Sequence, residues 1–299
     1  MSADRVSARD GSREVVRTME IVTPSYLPDL ELCRDLVGSI RSLARTPVQH
    51  RIIVPDAQRQ SFAPLASDTV RVQGVGEVLP RGLVKMPRAN LWLNARTPWV
   101  PVRGWIAQQI VKLAATAASA ADAVLLVDSD VVFTRPFDVE TYTRDGRVPL
   151  YRLPDAVDAR LPRHMLWDDV ARRLLGVPPS VAAQRPDYIC WPCLWRPALV
   201  RDMLARIERV THRPWWAAIA RELHFSEMVL YGVYADDVRE VPDHTSDMHC
   251  VTHSDEVPLT GGGLSAFLAS QADDDVAVMV SAKSGTQLAE RRSALSQLH

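Results

Sequence analysis

Hydrophobic and polar positions follow two rhythms along this chain. Met19 to Thr23 is a short β-type run closed by the turn Pro24-Ser25-Tyr26. PDLELCRDLVGSIRSLA follows, with Leu32, Leu36, Ile40 and Leu43 at helical spacing. Arg51-Ile52-Ile53-Val54 is the next strand, stopped by Pro55 and Asp56. Such a β-α-β opening implies a parallel sheet with helices on its faces. Residues 57–100 read as irregular, with several Pro and Gly and one short strand candidate at Val70 to Gln73. GWIAQQIVKLAATAASAA then predicts a helix with Ile106, Ile110, Leu113 and Ala117 on one face. Gln108, Gln109, Lys112 and Thr116 gather on another face.

That helix leads into VLLVDSD, which reads as a near-continuous buried strand ending in Asp128 and Asp130. Alternation puts both carboxylates on one face, roughly 6–7 Å apart if the strand stays extended. Burying either ion unpaired costs several kcal/mol or forces protonation, so something must meet them. The carboxyl ends of strands are also where open α/β sheets bind ligands.

The second half predicts a strand at Pro149 to Leu153 and helices near Arg163 to Leu175 and Ala198 to Val210. The aromatic segment DYICWPCLW precedes the second of these helices. WWAAIARELHFSEMVLYGVYA follows, then a stretch rich in His and Asp, a Gly triplet at 261–263 and an amphipathic tail. No internal repeat and no composition break divides the chain. Residues 1–18 read as a disordered tail.

Composition narrows the function. The 299 residues are 47% hydrophobic, enough for a sizeable core, and the formal net charge of -1 lacks the basic footprint of a nucleic-acid binder. Lysine occurs only at Lys85, Lys112 and Lys283, so a lysine inside a motif is informative. The Ala/Arg/Val/Pro bias suggests a GC-rich bacterial source. The N-terminus has no apolar h-region, and the longest apolar-looking run, about 113–127, is too short and polar to span a bilayer. The expectation is a soluble cytoplasmic protein without a membrane span.

Cys190-Trp191-Pro192-Cys193 matches a thioredoxin-type motif only superficially, since it lies deep in the chain. Cys190, Cys193, Cys250 and His253 have zinc-ligand types but loose spacing. Ordinary buried thiols, with Cys33 as the fourth, are the favoured reading.

Four motifs occur in order: T-P-S-Y at 23–26, G-W-x-x-Q-Q-x-x-K-L at 104–113, D-S-D at 128–130 and S-E-x-x-L-Y-G at 226–232. With the β-α-β opening they resemble the GT-A class of nucleotide-sugar glycosyltransferases, and in detail a poorly characterised bacterial branch of it. The resemblance runs from about residue 19 to 255. A bare Asp-x-Asp is a weak signal; the ordered set is stronger. It implies one α/β domain over 19–299, GT-A-like (Rossmann-like), with a central mixed, mainly parallel sheet flanked by helices. A nucleotide-binding half would cover about 19–135 and an acceptor half about 136–299.

The resemblance implies transfer of a sugar from a UDP- or GDP-sugar to an acceptor, a natural product or glycan, assisted by Mn²⁺ or Mg²⁺. The chemistry is coherent, because a divalent ion bridging diphosphate oxygens neutralises charge growing on the leaving group. By correspondence Asp130 is the principal metal ligand, and Asp128 contacts ribose or reaches the metal through water. His253, or less favourably His249, supplies a third ligand. Thr23, Tyr26 and Asp56 fall at the nucleotide, with Tyr26 stacking on the base and Asp56 accepting from it. Gln108 and Lys112 face the phosphates. Glu227 is either the base that deprotonates the acceptor or a carboxylate complementing a helix dipole. Trp191, Trp195, Trp215 and Trp216 form an acceptor platform or, as the favoured reading, pack in the core. Two rivals stay open: nucleotidyl transfer, though TPSYLPDL has no glycine until Gly38, and a non-catalytic nucleotide-binding relative.

Overall fold

The computed structural model describes residues 15–79, 81–85, 91–94 and 97–297. Most of the expected N-terminal tail, residues 1–14, lies outside them. Strands β1 (Met19–Pro24), β2 (Gln49–Val54) and β3 (Val70–Gly74) run parallel, and β4 (Ala123–Leu126) joins β1 on its other side, also parallel. A later strand, Cys193–Trp195, pairs antiparallel with β4, Cys193 opposite Leu126. The central sheet is therefore mixed and mainly parallel, the expected fold class. Its middle is sealed: Ile21, Val22, Val124 and Leu125 have no exposed surface. Such near-continuous apolar strands are what a sheet covered on both faces requires.

Helix α1 (Leu30–Leu43) buries Cys33, Leu36, Val37 and Ile40, a stripe at helical spacing. Helix α2 (Gly104–Ala118) differs from its expected amphipathic form. Gln109, Lys112 and Thr116 are buried with the apolar residues, whereas Gln108 is exposed. The polar face is covered by α5 (Glu227–Val233), which packs across it after α3 (Pro162–Leu175) and α4 (Pro197–Thr211).

Two further departures bear on the site. The stretch read as irregular contains an antiparallel sheet of Leu83–Lys85, Leu91–Asn94 and Thr97–Arg103. The stretch read as an amphipathic tail contains a fully buried strand at Ala277–Val280. With β5 (Val131–Phe133) and β7 (Cys250–His253), β6 being Cys193–Trp195, this strand, β8, forms a second sheet of order β7-β8-β5. Helix α6 (Leu288–Leu295) follows. Among the described residues, no helix is long and apolar enough to cross a membrane.

The tryptophans form no open platform. Trp195 and Trp216 are buried, Trp195 stacked on Tyr231, while Trp191 and Trp215 pack against the core. All four cysteines are free and buried. Cys190 and Cys193 touch, with 2.9 Å between sulfurs, but Cys250 and His253 sit at opposite ends of β7. The four do not converge as a zinc site.

Candidate active site

Asp128 and Asp130 do not extend the strand. β4 ends at Leu126, and the chain turns, with Val131 N donating to Asp128 O at 3.2 Å before β5 starts. A continuous strand would have carried two carboxylates into a sealed sheet. The turn places them at its carboxyl end and aims them at different neighbours. Ser129 fixes it from behind, donating to Ser25 Oγ at 2.9 Å beneath the loop after β1.

Asp128 meets α2. Lys112 Nζ lies 3.1 Å from Asp128 Oδ1 and 3.2 Å from Glu227 Oε1, so one ammonium joins two carboxylates. The Lys112 and Glu227 side chains are each 7% exposed, and Asp128 is 30% exposed. Burial opposes the lysine charge, but Asp128 and Glu227 outweigh it and raise its pKa. Lys112 is thus a fixed cation.

Glu227 is positioned by its helix start. Ser226 caps α5 by accepting from Val229 N at 3.3 Å, and Glu227 N donates to Gln109 Oε1 at 2.9 Å. Gly232 allows the closure, because a Cβ there would collide with the Tyr188 ring. Tyr231 OH accepts from Arg196 N at 3.2 Å. The S-E-x-x-L-Y-G residues thus cap, pair, pack and make room in turn.

Asp130 meets the second sheet and α6. Its Oδ2 accepts from Ala282 N at 2.9 Å, and its carbonyl accepts from Arg291 Nη2 at 2.9 Å. Its Oδ1 is buried without a partner. Burial, then the charge of Asp128, raises its pKa. A sealed, unpaired carboxylate oxygen is costly unless protonated or met by a cation.

The remaining expected residues separate into near and far. Tyr26, 48% exposed, lies within electrostatic range of Asp130; burial, then Asp29 and Asp130, raises its pKa. His253 ends β7, where its carbonyl accepts from Ser281 N, one residue before Ala282, so it shares an end of the sheet with Asp130. Its Nε2 is 2.7 Å from Val257 O. His249 lies at the other end of β7, in a left-handed conformation with φ 52. There Asp247, His249 and Asp274 bring ligand atoms within 4.8 Å of one another, a donor set suited to a divalent ion. Thr23 is fully buried, its Oγ1 2.9 Å from Nε2 of His50, an imidazole whose pKa burial lowers to about 3. Asp56 caps the turn after β3, both oxygens accepting from Gly76 N at 3.1 Å. Gln108 is exposed on α2, whereas Lys112 is buried.

A family model described as a family of unknown function, DUF6492, matches residues 16–273. The chain belongs to that family. No curated protein matches it by sequence. Among solved structures, the apo form of mouse xyloside xylosyltransferase 1 is similar over 91% of this chain and 100% of that one, at 10% identity and a TM-score of 0.46.

Sequence patterns missed Asp29 and Arg291, and placed Gln109 on the polar face of α2 without giving it a role. Asp29, just before α1, sits near Asp130 and Asp128; burial, then those two charges, pushes its pKa up to about 6. Between about pH 4 and 6 the folded chain keeps a proton on Asp29 that the unfolded chain releases. The metal-free protein therefore loses stability as pH rises through that window. Asp29→Asn is expected to remove that loss, worth about 1 kcal/mol after allowance for solvent screening. Thermal unfolding in chelator from pH 4 to 7.5 checks it, and parallel wild-type and variant profiles would contradict it.

Proposed function

We propose that this chain is a glycosyltransferase of GT-A type, moving a sugar from a UDP- or GDP-sugar to a hydroxyl acceptor, a glycan or natural product. The observation that carries the reading is the sealed, unpartnered Oδ1 of Asp130 beside Asp128, at the carboxyl end of β4. Asp130, with Asp128 and His253, would hold Mn²⁺ or Mg²⁺, which when bound offsets the charge of the departing diphosphate. Residues 19–135 would serve the nucleotide and 136–299 the acceptor, in one cytoplasmic domain of a bacterial protein.

The protein's own residues orient and move a proton. Lys112 holds Asp128 and Glu227 in one arrangement, linking the donor side to the acceptor side. Glu227 Oε1 is engaged by Lys112, and its other oxygen is not sealed away without a partner. That oxygen is the base: it takes the acceptor hydroxyl proton as the hydroxyl oxygen attacks the anomeric carbon and the sugar–phosphate bond breaks. Tyr26, exposed and near Asp130, would stack on the nucleobase.

Calorimetry with UDP and GDP, with and without Mn²⁺, tests the reading. Wild type is expected to bind a diphosphate more tightly with metal, and Asp130→Ala to lose at least ~10-fold of that gain while staying folded. An unchanged metal dependence in the variant would remove the claim. Binding without hydrolysis of any nucleotide sugar would favour a non-catalytic relative.

A further inference from the structure

Arg291 is 5% exposed, yet its guanidinium has one protein partner among the described residues, the carbonyl of Asp130. A guanidinium carries five donors in a planar fork, and one neutral carbonyl leaves most of that capacity unused. Its other nitrogens are not sealed without partners, so they keep contact with solvent. Its neighbour behaves oppositely: Arg292 pairs with Asp35 and Glu31 of α1, at 2.8 and 3.0 Å, and pins α6 in place. The helix is thus anchored by one arginine while the next points a cation at the Asp-Ser-Asp turn. Lys112, which also meets the turn, is already bracketed by Asp128 and Glu227. Asp130, Asp35 and Asp29 lie within electrostatic range of Arg291 but none makes a direct ion pair with it, so most of its donors remain available to an anion.

We infer that Arg291 grips the diphosphate of the nucleotide donor, taking the phosphate-binding part that the resemblance assigns to Lys112. The inference rests on the nucleotide-sugar reading of the site. Arg291 Nη2 is fixed on the Asp130 carbonyl, so the guanidinium stands beside the aspartate proposed to hold the metal. A planar fork suits two phosphate oxygens at once, which an ammonium does not.

The test is titration of UDP and uridine, with Mn²⁺, into wild type, Arg291→Ala and Arg291→Lys. Arg291→Ala is expected to weaken UDP roughly 10- to 100-fold and leave uridine unchanged. Arg291→Lys, which keeps charge and stem but loses the fork, should fall between the two. If Arg291 only clamps α6 to the turn, UDP and uridine weaken by the same factor and their affinity ratio stays at the wild-type value. That constant ratio overturns the inference, and Arg291→Lys suffices to read it if the alanine variant does not fold. Absence of diphosphate binding in wild type would instead overturn the nucleotide-sugar reading itself.

Discussion

Lys112→Met is expected to lower the unfolding free energy by about 3–5 kcal/mol, the usual cost of removing one partner from a buried ionic group. The methionine keeps the packing stem, so the loss isolates the ammonium. Glu227 is left nearly buried and uncompensated, whereas Asp128 retains some water. The double variant Lys112→Met, Glu227→Gln should recover much of the loss, because no stranded buried charge remains on Glu227. Urea unfolding of both single variants and the double yields that coupling directly. A Lys112→Met cost under about 1 kcal/mol would mean that the ion pairs are not formed in solution.

The second large effect is kinetic. Under the proposed mechanism, Glu227→Gln should reduce turnover by about 10²–10⁴-fold, the range for a positioned base. The amide oxygen can still accept from Lys112, so nucleotide and metal binding should persist. A glutamate that only neutralises Lys112 and complements the start of α5 predicts lost stability and nearly unchanged turnover. One rate measurement with matched unfolding data separates the two. A retained rate would point to a retaining reaction with no enzymic base at Glu227.

The central architecture was legible because period and punctuation agree there. Leu36 and Ile40 mark the buried stripe of α1, and Pro55 and Asp56 stop β2. Ala277–Val280 was missed because a four-residue strand inside a tail carries little periodic signal. The antiparallel strands between 83 and 103 were obscured by proline and glycine. The site was legible as motifs and illegible as contacts. Lys112 stood out because lysine is rare here, but its partners were not readable, since α5 lies far along the chain. Gln109 reaches Glu227 across 118 residues of sequence, and spacing, which put it on the polar face with Gln108, could not name that partner. Arg291 was hidden by abundance, one arginine among many, and burial together with the lack of a carboxylate in contact distinguishes it.

The strand order β7-β8-β5 also sets when the surroundings of the Asp-Ser-Asp turn are complete. Val131 pairs with Met279, so fixing the far side of the Asp-Ser-Asp turn closes a loop of ~150 residues. Closing that loop adds an entropic cost that local helix and β-α-β contacts do not face, which favours its formation late in folding. A nascent chain that has emerged only through β7 already has every strand of the central sheet. It still lacks the amide of Ala282 and the guanidinium of Arg291, so Asp130 would face open solvent. Core and site are therefore assembled by different ends of the chain, and the chemistry waits for the second.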